Sequence, residues 1–171
     1  EGCLAFGSTP EGAFEITKQV KSYCEKPLIV KLTPNVTNIA EIAKAAEKGG
    51  ADAISLINTV TGMVIDTKTR KPILHNNTGG LSGPAIRPIA VRMTYEVAQN
   101  VAIPIIGMGG ITNGNDALEF IIAGAHAIMV GTWNFVYPTA CLDVVNGIQE
   151  YMDREKIQKL DEIRNTIIMN G

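Results

Sequence analysis

The sequence is poor in cysteine and histidine. Its three cysteines, Cys3, Cys24 and Cys141, are odd in number and widely spaced, and no two of them form a CxxC pair. This pattern does not fit a disulfide framework or a cysteine metal site, and it predicts free thiols in a reducing compartment, the cytoplasm. The two histidines, His75 and His126, have no partners at catalytic or ligand spacing. We therefore expect no metal site.

The chain also has little net charge and no long apolar run. Fifteen basic and 17 acidic residues give a net charge of -2, so no overall electrostatics favour nucleic acid. No apolar run approaches the roughly 20 residues that span a bilayer. The chain begins with Glu1 rather than Met, and no signal peptide is recognisable. Of the 171 residues, 46% are apolar and 19% are charged, which predicts a globular protein with one sizeable core and without nucleic-acid or membrane partners.

Short apolar runs alternate with helical patterns along the chain. Thr9 is a predicted helix N-cap with Pro10 in the first turn, and Thr37 or Asn38 is expected to cap the next helix. The predicted strand at 27–32 has apolar residues on both faces, apart from Lys31. This pattern predicts a strand that is buried on both faces. The full prediction is strands at 27–32, 53–57, 103–106 and 127–130, and helices from 9, from 37 to 50, at 85–100, from 112 or 113, at 133–137, at 139–152 and at 157–168.

One long segment, residues 60–84, lacks a helical pattern. Within it, residues 63–65 and 72–74 flank a polar turn at 66–71 and predict a small hairpin. A connection of this length inside a compact domain is usually functional.

An internal repeat indicates the architecture. The run GADAI at 50–54 recurs as GAHAI at 124–128, and PLIV at 27–30 is echoed by PIIG at 104–107. Two consecutive βα units therefore resemble the next two, giving four. A closed (β/α)8 barrel needs eight units and about 250 residues. The α/β chain is thus predicted to be a single partial domain over 1–171, the C-terminal half of a TIM barrel, and either a fragment or one of two chains.

Two glycine-rich strand ends predict a phosphate site. The run PIIGMGGITN at 104–113 places Gly109 and Gly110 between a strand and a helix N-terminus, where backbone N–H groups attract anions. The run AIMV at 127–130 is followed by Gly131 and Thr132. Loops after the last two strands of such barrels commonly bind phosphate. The alternative is a set of tight turns that need glycine for backbone geometry alone.

Five motifs in order carry a family resemblance. They are VKLTPN at 30–35, LINT at 56–59, TGGLSGPA at 78–85, IGMGGI at 106–111 and VGT at 130–132. Over essentially the whole chain they resemble the C-terminal half of dihydroorotate dehydrogenases, FMN-dependent barrel enzymes of pyrimidine biosynthesis. The class they resemble most is the NAD-linked class 1B catalytic subunit.

The resemblance implies roles for particular residues. Asn58 and Thr59 would bind the orotate-like substrate, since an amide offers both a donor and an acceptor. The alternative for Asn58 and Thr59 is a turn that only caps the strand end. Lys31 also has an alternative to a role at the cofactor, which is a side chain that extends to the surface so that its charge stays in water. The implied FMN contacts are Lys31 at the flavin ring, the backbone of Ile57, and Gly83, Gly109, Gly110, Gly131 and Thr132 mainly at the phosphate end.

The resemblance also implies an activity, oxidation of (S)-dihydroorotate to orotate. The base is a cysteine in a segment that the family carries just before the position of Glu1. Cys3 falls too late to be that cysteine, so no catalytic residue is assigned in this chain. In class 1B relatives, a partner subunit with FAD and a [2Fe–2S] cluster passes electrons to NAD, which implies a homodimer of this subunit within a heterotetramer.

Two further functions stay open on the sequence alone. One is another FMN-dependent barrel oxidoreductase, of the dihydropyrimidine- or dihydrouridine-reducing type, since fold alone does not fix chemistry. The other is an inactive half-barrel that binds phosphate or serves in assembly. An exposed half-barrel would leave two sheet edges and an apolar face open, and is expected to dimerise or aggregate.

Overall fold

Helices and short strands alternate along residues 7–170, which are the residues that the computed structural model of the protein describes. Cys3, which is predicted to be a free thiol and not the catalytic cysteine, lies outside these residues. In chain order the elements are α1 (Pro10–Tyr23), β1 (Ile29–Leu32), α2 (Ile39–Lys48), β2 (Ala53–Leu56), β3 (Val60–Gly62), β4 (Ile65–Asp66), β5 (Lys71–Pro72), β6 (Gly79–Leu81), α3 (Arg87–Ala98), β7 (Ile105–Met108), α4 (Gly114–Ile122), β8 (Ala127–Met129) and α5 (Ala140–Glu155).

The main sheet has four parallel strands in the order β1-β2-β7-β8. This spatial order is also the chain order. Because parallel crossovers are right-handed, such an order places the connecting helices on one face of the sheet. Successive helices contact one another from α1 through α5. The predicted α/β class with a parallel sheet is therefore confirmed.

The core lies between the sheet and this helix layer. Leu56 and Ile105 on the strands and Phe120 on α4 are almost fully buried. Gly107 is needed at the contact, because a Cβ there would lie 2.5 Å from the Phe120 ring. The helices thus fix the strand ends from one side.

The opposite face of the sheet is partly open. Lys31, Met108 and Met129 line a cavity on that side, and Met129 keeps 50% of its surface exposed. Because Ile29 lies two residues before Lys31 on the strand, the two side chains are on the same face. Ile29 is 50% exposed, as Met129 is. The prediction that the first strand is buried on both faces is therefore wrong, because among residues 7–170 nothing covers the face that carries Lys31. Lys31 itself is exposed.

The predicted helix N-caps are confirmed. The hydroxyl of Thr9 accepts a hydrogen bond from the backbone N–H of Gly12. Asn38 caps α2, and Asn113 caps α4 by accepting from the N–H of Asp116. None of the helices that the structure describes is long and apolar enough to cross a membrane.

Several element boundaries differ from the predictions. The strand predicted at 103–106 is β7, Ile105–Met108. The short helix predicted at 133–137 is a 3-10 turn, Thr132–Phe135, and α3 is preceded by another, Pro84–Ile86. The predicted helix at 157–168 is wrong, because only Leu160–Glu162 forms a 3-10 turn there.

The segment at 60–84 folds into two antiparallel ribbons. The predicted hairpin is present but shorter, as β4 pairs with β5 through Ile65–Pro72 and Asp66–Lys71. The second ribbon, β3 with β6, was not predicted. It brings residues 79–83 back toward the end of β2, which places Gly83 beside the main sheet.

Candidate active site

A cavity of about 230 Å³ lies at the C-terminal ends of the four parallel strands. Residues from β1, from the end of β2, from the loop after β6 and from the ends of β7 and β8 line it. Carboxyl ends of parallel strands are where barrel enzymes place their chemistry. The structure brings all nine predicted site residues together here: Lys31, Ile57, Asn58, Thr59, Gly83, Gly109, Gly110, Gly131 and Thr132.

Three loops form the glycine-rich side of the cavity. They contribute Gly83 after β6, Gly109 and Gly110 after β7, and Gly131 after β8. The first and third loops are joined, because the Thr132 hydroxyl lies 2.9 Å from the Ser82 hydroxyl at hydrogen-bond geometry. The sequence analysis did not single out Ser82.

The glycines fall into two groups by what their backbone requires. Gly109 and Gly110 have φ of +131° and +76°, and a Cβ would lie 2.9 Å from the Ala90 Cβ and 2.7 Å from the Gly83 carbonyl oxygen, respectively. Turn geometry and packing alone therefore require glycine at these two positions. At Gly131, φ is -102°, and a Cβ would meet no protein atom within 4 Å. The fold leaves the space beside Gly131 open.

Lys31 contributes a positive charge that the described protein does not neutralise. Its side chain is exposed and lines the cavity. Among residues 7–170 it has no ion pair and no hydrogen bond of its side chain. The structure therefore places the Lys31 charge where burial imposes no cost on it. It leaves a free ammonium group beside the cavity that can attract an anion.

The backbone around Asn58 is held from two sides. The N–H of Ile57 donates to the Met108 carbonyl at 2.9 Å, and the N–H of Asn58 donates to the Leu32 carbonyl at 2.9 Å. The peptide bond between Leu56 and Ile57 is cis. The Asn58 side chain is exposed and caps no helix among the described residues. Among residues 7–170 the Asn58 amide has no hydrogen-bond partner, so the cavity edge presents this amide from a fixed backbone.

Asn58 and Thr59 also line a second cavity, of about 220 Å³, on their other side. Polar side chains contribute to its lining, among them Asn35 and threonines from neighbouring loops. The Asn35 side chain donates to the Thr59 carbonyl at 3.1 Å and accepts from the Thr61 N–H at 2.9 Å. This bridge fixes the segment that follows β2 against the loop after β1.

An ion pair behind the glycine loops is a further feature that the sequence analysis missed. Asp116 on α4 is 4% exposed and pairs with the Arg87 guanidinium at the start of α3. Asp116 also accepts from the Thr112 N–H at 2.9 Å and hydroxyl at 2.6 Å. The available signal was Arg87 itself, since a cation at a helix N-terminus is unfavourable without an anionic partner.

Neither of the two histidines lines these cavities. His126 stands at the start of β8, where its Nδ1 accepts from the Ile105 N–H at 3.2 Å. Desolvation by the surrounding protein and the nearby Arg164 guanidinium lower the pKa of His126 below its ordinary value. Within residues 7–170, no group of three or more His, Cys, Asp or Glu side chains is placed to hold a metal ion.

Comparisons with known proteins point to one family. Residues 1–152 match a family model described as dihydroorotate dehydrogenase. The catalytic subunit of dihydroorotate dehydrogenase B (NAD(+)) from Caldicellulosiruptor saccharolyticus is 58% identical over 167 residues, which are 98% of this chain and 56% of that protein. The corresponding subunits of Alkaliphilus metalliredigens (58% over 166 residues; 97% and 55%) and Alkaliphilus oremlandii (59% over 162 residues; 95% and 54%) are similar. The chain spans about half the length of the curated relatives it matches.

Proposed function

The chain belongs to the dihydroorotate dehydrogenase family, and from this premise we propose that it is the C-terminal half of an FMN-binding (β/α)8 barrel that oxidises dihydroorotate. Three observations support the half-barrel. The four parallel strands follow one another in chain order, the helices cover one sheet face, and the relatives are about twice as long. The observation that carries the function is the convergence of all nine predicted residues on one cavity.

The residues around the cavity fit FMN in charge and shape. The open space beside Gly131 leaves room for a ligand against the backbone. Loops at 82–83, 109–111 and 131–132 offer backbone N–H groups, and α3 and α4 begin just beyond two of them, which suits a phosphate. Ile57, Met108 and Met129 supply apolar surface for a flavin ring. We assign Gly83, Gly109, Gly110, Gly131 and Thr132 to the phosphate end, and Lys31 and the Ile57 backbone to the ring.

The same geometry assigns the substrate side to Asn58 and Thr59. The free Asn58 amide can donate to a carbonyl and accept from a ring N–H, and the bonds of its backbone hold it in place. Bound FMN would supply a two-electron acceptor for the hydride that leaves the substrate. Lys31 would hold positive charge next to the flavin ring, where negative charge is stabilised by a cation. The base that removes the substrate proton is assigned to no residue of this chain.

The remaining parts of the proposal concern the acceptor and the partners. The relatives' names specify NAD(+) and a catalytic subunit. By similarity, we assign to this protein an electron-transfer partner with FAD and a [2Fe–2S] cluster, a homodimer of catalytic subunits within a heterotetramer, and a cytoplasmic location. The family match weighs against the dihydropyrimidine- and dihydrouridine-type alternatives.

Anaerobic flavin reduction tests this proposal. The visible spectrum of the complete, flavin-loaded protein, in which the preceding barrel units supply the base, is recorded before and after addition of dihydroorotate, and separately after dihydrouracil. Bleaching by dihydroorotate alone is the expected result. Bleaching by dihydrouracil instead would assign the protein to the dihydropyrimidine type, and a colourless protein or a flavin that stays oxidised with both compounds would contradict the proposed activity.

A further inference from the structure

Two loops of the glycine-rich cavity wall are joined from behind by a charged cluster. Arg87 is the first residue of α3, four positions after Gly83, and Asp116 lies in the first turn of α4, six positions after Gly110. Neither residue lines the cavity. Their ion pair therefore connects the bases of two cavity loops and does not form part of the cavity surface.

We infer that Arg87 and Asp116 are positioning residues that set the spacing of the phosphate-binding loops. This inference rests on the proposed FMN site and adds residues to which that proposal gives no role. Asp116 accepts three hydrogen bonds, from the Arg87 guanidinium and from the N–H and hydroxyl of Thr112. Thr112 lines the cavity. One buried carboxylate thus holds the β7–α4 loop and the start of α3 together.

Arg87 packs so closely against the cavity loops that its position affects theirs. A Cβ on Gly110 would lie 2.9 Å from the Arg87 Cβ and 2.7 Å from the Gly83 carbonyl oxygen. That carbonyl in turn accepts from the Ile86 N–H at 3.1 Å. With backbones in such contact, a shift of Arg87 cannot be absorbed locally and must move Gly83 or Gly110. The two glycines are the residues that we assign to the phosphate.

The cluster includes a natural control residue. Glu119 lies one helical turn after Asp116, and its carboxylate is 3.5 Å from the Arg87 Nε. Its side chain is 46% exposed, whereas that of Asp116 is 5% exposed. Exposed ion pairs contribute little, whereas removal of one partner of a buried pair has a large effect. Glu119 makes no recorded contact with Thr112, so its loss leaves the loop connection in place.

The test compares FMN with riboflavin, which has the same ring and no phosphate. Dissociation constants are measured by fluorescence titration of flavin-depleted protein for the wild type, Asp116→Asn and Glu119→Gln. We expect Asp116→Asn to weaken FMN binding about 10-fold or more, which is the effect of losing a residue that supports a ligand at metal sites. Riboflavin affinity should stay unchanged, and Glu119→Gln should bind both flavins as the wild type does. Arg87→Lys, which keeps the positive charge but loses the guanidinium fork, should give an intermediate loss.

The outcomes separate the two proposals. Equal weakening of FMN and riboflavin in Asp116→Asn, or no change in either, would overturn the positioning role. If Asp116→Asn does not fold, Arg87→Lys decides: a retained preference for FMN would overturn the role. A wild-type protein that binds FMN no better than riboflavin would contradict the phosphate site itself, and with it the proposed function.

Discussion

At the scale of single residues, the glycines around the cavity have two different reasons to be glycine. Gly109 and Gly110 combine positive φ with contacts below 3 Å for any added Cβ, so the fold itself demands them. Gly131 has neither constraint. The space beside Gly131 is therefore available to a ligand. This distinction allows the cofactor assignment to be tested separately from folding.

Two matched substitutions make that test. Gly131→Ala should lower the free energy of unfolding less than Gly110→Ala does, because a Cβ at Gly131 meets no protein atom within 4 Å, yet it should weaken FMN binding by steric overlap. Gly110→Ala should lower the free energy of unfolding by at least about 1 kcal/mol, because a Cβ is strained at that φ. Thermal unfolding and flavin titration measure both. Unchanged FMN affinity in Gly131→Ala would remove Gly131 from the phosphate site.

Lys31 is the residue whose removal should affect chemistry most. Because it is exposed and unpaired among residues 7–170, Lys31→Ala should leave stability unchanged. In the complete enzyme it should slow flavin reduction by dihydroorotate about 10²-fold, a typical effect of removing one group that stabilises developing charge. The control is Lys44→Ala on α2, which removes the same charge from a surface pair with Glu41. Stopped-flow rates equal to the wild type in Lys31→Ala would end its assignment.

The site residues were predictable to different extents. Residues such as Asn58 and Gly131 belong to short motifs at strand ends, so their sequence context identified them. Arg87 and Asp116 are 29 positions apart, and neither forms a motif with the other in the sequence. Only the packing of α3 beside α4 brings them together, and pairwise tertiary contact cannot be read from a single sequence.

At the scale of elements, the strand starts carry a pH-sensitive contact. The Nδ1 of His126 at the start of β8 accepts from the Ile105 N–H at the start of β7, so this nitrogen must be unprotonated. The pKa of His126 is lowered in the folded protein from its ordinary value of 6.5 by desolvation and by Arg164. The unfolded chain therefore takes up the proton first as the pH falls.

This linkage predicts a loss of stability in acid. The contribution of His126 is fully present above its ordinary pKa of 6.5 and declines as the pH falls below that value. Denaturant unfolding at a series of pH values from neutral downward measures the slope. His126→Gln should show a shallower slope in this window. An identical slope in the variant would show that other groups account for the pH dependence.

Helix starts that depend on a capping residue were predicted correctly from the sequence. The last predicted helix, which rested on a periodic apolar pattern, was not. Thr9, Asn38 and Asn113 cap helices through bonds made within a few residues. The helix predicted at 157–168 is interrupted by Asn165, which has φ of +58°. Asn165 donates its N–H to the Ile121 carbonyl and accepts from the Gln99 side chain. These tertiary bonds override a helical period that Leu160 and Ile163 use to pack on the core.

At the scale of the whole molecule, the described residues leave apolar surface uncovered. Ile29 and Met129 on the open sheet face are each 50% exposed, and Ile16, Val20 and Tyr23 form an exposed stripe on α1. In the proposed barrel, the preceding units would pack on these positions. Apolar faces of this kind rarely remain free in water.

The 171-residue chain on its own should therefore self-associate. Sedimentation velocity across a concentration series is expected to show species larger than the 18.3 kDa monomer, together with binding of a hydrophobic dye. In a protein that includes the missing barrel units, dye binding should disappear. A monomer at every concentration without dye binding would contradict the assignment of the open face to a barrel interior.

The central claim is that one cavity, formed by the loops after β6, β7 and β8, holds the phosphate of FMN. The most direct measurement is a crystal structure of the FMN complex. The phosphate is expected within hydrogen-bond distance of backbone N–H groups at 110 and 131–132, and the flavin ring is expected beside Lys31. A phosphate bound elsewhere on the protein, or a flavin ring at the glycine loops with its phosphate in solvent, would contradict the account.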